Sequence, residues 1–79
     1  QAEGGEWLVR KVIERLIRMG REGGASAQGR YLHAVSTIVS FYPPVLTRSI
    51  LLSSLMAIPR AEAVFRGRFV ATLADAFPG

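Results

Sequence analysis

The 79-residue sequence has no cysteine, one histidine and one lysine, and each scarcity excludes a kind of chemistry. Without cysteine the chain forms no disulfides, no thiolate nucleophile and no cysteine-ligated metal centre. The single histidine, His33, does not make a metal site by itself. We therefore expect no cofactor and no bound metal.

Residues for acid–base chemistry are also sparse. Glu62, Asp75 and His33 show no spacing that brings titratable groups together in one pocket. Ser36 and His33 are neighbours on one predicted helix, but the sequence shows no third group that would orient the histidine. The sequence thus favours a non-enzymatic protein, and no small-molecule substrate is evident.

Charge is missing from the centre of the chain, where Arg48 is the only charged residue between Tyr31 and Pro59. A domain of this size buries only about 60% of the surface that its unfolded chain exposes. We therefore expect a partner, a second copy or the rest of a longer chain to cover part of this region. The chain begins at Gln1 without a methionine, which favours a fragment of a longer protein over a processed product.

The apolar runs are too short to cross a membrane. Residues 31–42 and 45–58 form runs of 12 and 14 residues, whereas a spanning helix needs about 20. Pro43 and Pro44 keep the two runs apart. The first apolar run is interrupted by charge every third or fourth residue, unlike a secretory signal, so we expect an intracellular location rather than secretion.

Glycine and proline divide the chain into segments of helical periodicity. The sequence predicts a single all-α domain over residues 1–79, with about four helices in antiparallel hairpins, either as a bundle or as an α-solenoid segment. A basic amphipathic helix is predicted over 6–19, a glycine-rich linker over 20–28 and a three-helix hydrophobic unit over 29–77.

Local signals predict where the helices begin and end. Gly20 is placed as the left-handed residue that ends the first helix, and Ser26 as the N-cap of the second, which should reach Tyr42. Pro44 fits the first turn of the third helix, and the short turn before it predicts that the second and third helices pack antiparallel. Pro59 should end the third helix, and the fourth should span 60–76.

The first helix concentrates the positive charge of the chain, whose net charge is +4. Its apolar residues project to one side, and five cations project to the other. They are the candidate polyanion-binding residues: Arg10, Lys11, Arg15, Arg18 and Arg21. Two interpretations stay open, a surface for RNA, DNA or an anionic membrane, and a solvated outer face supported by pairs such as Glu14–Arg18.

The second and third helices carry the candidate partner interface. The second has a narrow uncharged face of small hydroxyl residues, which lose little on desolvation when they bond back to the helix. The third is apolar on all sides, which predicts a central position. Its Arg48 would need a carboxylate, a carbonyl cluster or a route to solvent, and Asp75 is a candidate partner. The candidate interface residues are His33, Ser36, Thr37, Ser40, Leu46, Ile50, Leu51 and Met56.

The fourth helix carries Phe65, Phe69, Leu73 and Phe77 at four-residue spacing, which is typical of a core stripe. From Arg30 to Phe77, the helices separated by proline corners resemble a pair of units from a HEAT or armadillo type α-solenoid. This resemblance implies a stacked scaffold whose units cover one another's apolar faces.

Two functions follow as hypotheses. The first is a non-enzymatic helical protein–protein interaction or scaffold module, either part of a larger protein or a small subunit of a multiprotein or ribonucleoprotein complex. A protein partner or self-association is expected in this case. The alternative is a polyanion-binding module that contacts RNA, DNA or an anionic membrane surface through the basic first helix. Binding that collapses with added salt would distinguish the second from the first.

Overall fold

A computed structural model describes residues 2–77, with side chains described from residue 5 onward, and these residues form four helices without a strand. The predicted all-α class is confirmed. The radius of gyration is 12.0 Å, near the value of about 11–12 Å for a compact domain of this length. The helices are α1 (Ala2–Glu22), α2 (Ala25–Val39), α3 (Pro44–Ala57) and α4 (Ala63–Ala76).

The predicted linker over 20–28 is wrong, because α1 continues to Glu22 and only two glycines separate it from α2. Gly20 lies within the helix, where it serves packing instead of ending the helix. A Cβ at this position would lie 3.2 Å from Cε1 of Phe65 and 3.4 Å from Cβ of Tyr31. The N-cap of α2 is Gly24, with extended backbone, and not Ser26.

The proline predictions are confirmed at both corners. Pro44 is the first residue of α3, and Pro43 before it is extended (φ −59°, ψ 135°). The third helix ends at Ala57, because Ile58 precedes a proline and is held out of the helical region. The neighbouring ends are less well predicted: α2 stops at Val39, and α4 begins at Ala63 after a turn in which Glu62 N–H donates to the Pro59 carbonyl at 3.0 Å.

The helices pack as a ring in the order α1, α2, α4, α3. The most extensive contact joins α1 and α2, and the pairs α2–α4, α1–α3 and α3–α4 complete the ring. The predicted packing of α2 against α3 is not among these main contacts. The reason is the corner between them: residues 40–43 are outside any helix, and they carry the chain away from α2 so that α3 packs on α1 and α4.

The core draws on every helix, so α1 belongs to the same packed unit as the region 29–77. Phe65 and Phe69 of α4 stack with their centroids 6.3 Å apart, which confirms their predicted core position. Thr47 is the buried polar residue of α3, and its Oγ1 donates to the Pro43 carbonyl at 3.3 Å. The buried apolar residues are Val9, Ile13, Ile17, Leu32, Val35, Val39, Ile50, Leu51, Ile58, Phe65 and Phe69.

Two residues of the predicted partner interface lie in this core. Ile50 and Leu51 are 0% and 1% exposed, so their assignment to an accessible surface is wrong. A helix that is apolar on all sides does not indicate which side is buried, and here the side with Thr47 faces the other helices. Leu46 is partly buried and packs against the edge of the core.

Two helical glycines with opposite surroundings test this packing. The Cβ position of Gly67 has open space around it, so Gly67→Ala should raise the free energy of unfolding by about 0.5–1 kcal/mol through helix propensity. Gly20→Leu should lower it by about 1–3 kcal/mol, because the added side chain meets the Phe65 ring. Urea unfolding followed by circular dichroism measures both. Equal changes of the same sign in the free energy of unfolding of the two variants would contradict the close approach at Gly20.

Candidate functional site

A groove of about 600 Å³ runs between α1 and α3, and most of its polar lining comes from α1. We call it the α1–α3 groove. From α3 and its C-cap it receives Ser53, Ser54, Ala57 and Ile58. The residues from α1 are Trp7, Lys11, Glu14, Arg15, Ile17, Arg18 and Arg21. The groove therefore combines a cationic wall with a wall of hydroxyl and apolar groups.

The cationic wall contains four of the five candidate polyanion-binding residues. The fifth, Arg10, forms an ion pair with Glu14 at 3.9 Å, so Glu14 pairs with Arg10 and not with Arg18. Within residues 5–77, no carboxylate lies within 4 Å of the charged groups of Lys11, Arg15 or Arg18. All three of these side chains are exposed. The groove thus has three cations available to an external anion.

Arg21 has a different role, because its guanidinium is held by Glu62. Nε donates to Oε1 at 2.8 Å, and Nη2 donates to Oε2 at 2.9 Å. The pair links the last turn of α1 to the N-cap of α4. These hydrogen bonds, aided by the positive charge, lower the pKa of Glu62 against an opposing effect of desolvation. The same hydrogen bonds raise the pKa of Arg21, which is therefore a structural ion-pair partner.

Trp7 is exposed at one end of the groove. Its side chain is 60% exposed, and Nζ of Lys11 lies 5.7 Å from the ring centroid. This distance is within the range of a cation–π interaction. The indole is therefore a flat apolar surface beside a positive charge, an arrangement that suits either a base or an apolar side chain of a partner.

The outer side of α3 carries a row of exposed apolar side chains, which we call the α3 stripe: Val45, Leu52 and Met56. Their exposed fractions are 85%, 49% and 81%. At about 100° per residue they project within about 40° of one another. The predicted central position of α3 is therefore wrong, because one of its sides faces outward. Met56, a candidate interface residue, belongs to this stripe.

The apolar surface extends to the corner before α3. Phe41 and Tyr42 are 77% and 41% exposed, and they lie in the non-helical segment that leads into Pro43. Phe41 and Tyr42 before this corner, and Val45 after it, therefore remain in contact with solvent. This surface lies in the part of the chain that the sequence predicts to need an external cover.

Arg48 has a route to solvent, which is one of the three alternatives expected for it. Its side chain is exposed, and its guanidinium carbon lies 5.4 Å from the centroid of the Phe77 ring. The predicted pair with Asp75 is wrong, since the structure has no salt bridge between them within residues 5–77. The one charge of α3 is solvated and stacked on an aromatic ring.

The hydroxyl face of α2 lies apart from the α3 stripe. Thr37 Oγ1 donates to the His33 carbonyl at 3.0 Å, and Ser40 Oγ donates to the Thr37 carbonyl at 2.6 Å. These are the predicted bonds back to the helix. His33 and Ser36 instead line a groove of about 340 Å³ between α2 and α4. The exposed candidate interface residues of α2 thus lie on a different surface from Met56 of the α3 stripe.

The α2–α4 groove brings together residue types of nucleophilic catalysis. Asp75 lines it with His33 and Ser36, beside Arg68 and Thr72. Within residues 5–77, however, no side-chain hydrogen bond joins Ser36 to His33 or His33 to Asp75. An activated serine requires both bonds. The arrangement in the structure is a polar groove without the geometry of a triad.

The described part of the chain contains neither a cluster of metal-ligating side chains nor a membrane-spanning helix. Residues 2–77 contain no cluster of three or more side chains of histidine, aspartate or glutamate that could hold a metal ion. None of the four helices has, within these residues, an apolar stretch sufficient to cross a bilayer. In comparisons with known proteins, the chain matches no protein-family model, no curated protein and no solved structure. Its function must therefore be argued from its surfaces.

The Arg21–Glu62 pair makes stability depend on pH in a predictable direction. Because the pKa of Glu62 is lowered by folding, the stabilisation is present above the unfolded value of about 4.3 and is lost as the pH falls through the folded value. Glu62→Gln removes this contribution. The difference in Tm between wild type and variant should be positive at pH 7 and should shrink as the pH falls below about 4.

Thermal unfolding by circular dichroism at several pH values measures this difference. Glu6→Gln is the matched control, because Glu6 is an exposed glutamate on α1 with no salt bridge within residues 5–77. A Tm difference for Glu62→Gln that is the same at pH 7 and pH 3 would contradict the assigned role of the pair.

Proposed function

We propose that this protein is a non-enzymatic helical interaction module whose contact surface is the α3 stripe. The observation that carries the proposal is the exposure of Val45, Leu52 and Met56 in one row, on a helix whose only charge is Arg48. Burial of apolar surface contributes about 25 cal/mol per Å². Exposed apolar side chains grouped on one side of a helix favour a protein–protein contact, and the exposed Ser49 is the polar residue within this row.

The form of the assembly follows from the position of the stripe. The inner side of α3 already belongs to the core, so a partner would add a further layer on the outer side. Such layering agrees with the resemblance to HEAT and armadillo units, whose apolar faces are covered by the next unit. The module would then act within a larger protein, or as a small subunit of a multiprotein or ribonucleoprotein complex.

A site-specific crosslinking experiment tests this function. A photo-crosslinking amino acid in place of Met56, in the cells that make the protein, should give a discrete protein adduct. The matched control places it at Val64, which is 70% exposed on α4. Adding Leu52→Glu to the variant that carries the crosslinker at position 56 should remove the adduct, because a charge on the stripe opposes burial. Adducts of equal yield from positions 56 and 64, or insensitive to Leu52→Glu, would contradict the proposal.

A second candidate function is polyanion binding through the α1–α3 groove. The observation that favours it is that Lys11, Arg15 and Arg18 line one groove without a carboxylate partner within residues 5–77, beside the exposed ring of Trp7. Phosphates would contact the cations, and a base could stack on the indole. Glu14 also lines this groove, and its ion pair with Arg10 offsets its charge.

Salt dependence tests this second function. If three cations contact a single-stranded RNA, log K should fall with log of the salt concentration with a slope of about −2, at roughly 0.7 per contact. Fluorescence anisotropy of a labelled 14-nucleotide RNA between 50 and 200 mM salt measures the slope. Arg15→Glu with Arg18→Glu should abolish binding. A slope near zero, or binding by the double variant, would contradict polyanion recognition.

A further inference from the structure

We propose that the partner segment is an acidic amphipathic helix of about 14 residues, which lies along the α3 stripe with its carboxylates towards the cations of the α1–α3 groove. This inference rests on the proposed interaction function and adds the chemistry of the partner. It follows from three observations: the stripe adjoins the groove, the groove has unpaired positive charge, and both have the length of a short helix.

The α3 stripe and the α1–α3 groove are two parts of one surface. Ser53 and Ala57 line the groove, and each directly follows a stripe residue in sequence. On the helical projection Ser53 lies about 60° from Met56, between the stripe and the groove. A ligand on Leu52 and Met56 therefore reaches the groove across one small hydroxyl residue.

The charge of the groove specifies the sign of the partner. Lys11, Arg15 and Arg18 follow the i, i+4, i+7 spacing of one helix side and project within about 60° of one another. The one acidic residue in the lining, Glu14, is paired with Arg10. Three cations in a row beside an apolar stripe complement a helix that has carboxylates along one edge and apolar side chains along the next.

The dimensions fit a short helix. The lining residues on α1 run from Trp7 to Arg21, a rise of about 21 Å at 1.5 Å per residue. The α3 stripe from Val45 to Met56 rises about 17 Å, and the groove adjoins its C-terminal end, where residues from 53–58 line it. A partner helix of about 14 residues, about 21 Å long, therefore matches the cationic wall and covers the stripe.

A protein helix accounts for more of this surface than a nucleic acid does. Phosphates would satisfy Lys11, Arg15 and Arg18 but would leave Leu52 and Met56 in contact with solvent or with a charged backbone. An amphipathic helix buries the stripe and places its charges at the edge, as in interfaces with an apolar centre and a polar rim. The observations thus favour a protein helix.

Labelled model peptides test the inference directly with the full chain. A panel of 14-residue peptides would carry leucines at helical spacing and glutamates along the adjacent edge, in three registers; a matched panel would carry lysine at every glutamate position. Fluorescence anisotropy measures affinity at 50 mM salt. At least one glutamate peptide should bind about tenfold or more tightly than its lysine counterpart, because like charges across a groove oppose binding.

The affinity of substituted chains for the glutamate peptide tests whether the peptide binds to this surface. Leu52→Ser with Met56→Ser, and Arg15→Glu with Arg18→Glu, should each weaken binding of the glutamate peptide by about tenfold. The matched controls Val64→Ser and Arg60→Glu change exposed residues outside the groove and stripe, and they should alter affinity less than about twofold. Circular dichroism confirms that each variant keeps its helices.

The results separate this inference from the function on which it rests. Equal affinity for glutamate and lysine peptides, no binding of either, or unchanged affinity in both double variants would overturn the acidic helix. A labelled 14-nucleotide RNA that binds more tightly than every glutamate peptide, and displaces the bound peptide, would overturn the acidic helix in favour of a nucleic acid. If position 56 still gives a stripe-dependent protein adduct, the interaction function stands and only the partner chemistry fails; if that adduct is also absent, both fail.

Discussion

A close approach between the end of α1 and the start of α4 joins two helices that lie across the ring from each other. Phe65 reaches the backbone of α1 at Gly20, where even a Cβ would lie 3.2 Å from its ring. Next to this contact, on the same two elements, Arg21 is hydrogen-bonded to Glu62. A buried aromatic contact and a partly exposed ion pair thus join the end of α1 to the start of α4. The helices α2 and α3 then occupy the two sides of this junction.

The completed core explains why the chain has an apolar surface left over. Each helix turns one side to a single core, and the core is complete with the side of α3 that holds Thr47, Ile50 and Leu51. The opposite side of α3 has no further element of the described chain to cover it. The segment from Tyr31 to Pro59 holds only one charged residue, so the polar residues on the exposed side of α3 are Arg48, Ser49 and Ser53, and Val45, Leu52 and Met56 stay in contact with solvent.

Much of the fold could be predicted from local signals, since proline acts on its own neighbours. Pro44 and Pro59 mark their corners correctly, and the spacing of Phe65 and Phe69 indicates a core helix. Gly20 shows the limit of such reasoning. Glycine is suited both to ending a helix and to a close helix contact, and only the position of Phe65, 45 residues later in the sequence, decides between these roles.

The candidate surfaces were predictable to different degrees for a related reason. The cations of α1 project to one side because the helix is amphipathic, so the sequence identifies them. The residues of α3 are apolar all round, and a helix without a polar side does not indicate that Leu51 is buried while Leu52 is exposed. Likewise, Arg21 resembles the other cations in sequence, because its partner Glu62 lies 41 residues away.

The exposed position of Trp7 gives the protein an optical property of its own. It is the only tryptophan in the chain, and its ring is already largely in contact with water in the folded state. Unfolding therefore changes the surroundings of the indole little, whereas a molecule that enters the α1–α3 groove removes water from it. The intrinsic emission of the protein reports occupancy of the groove, and the far-ultraviolet signal of the helices reports folding, so a single unlabelled sample distinguishes the two events.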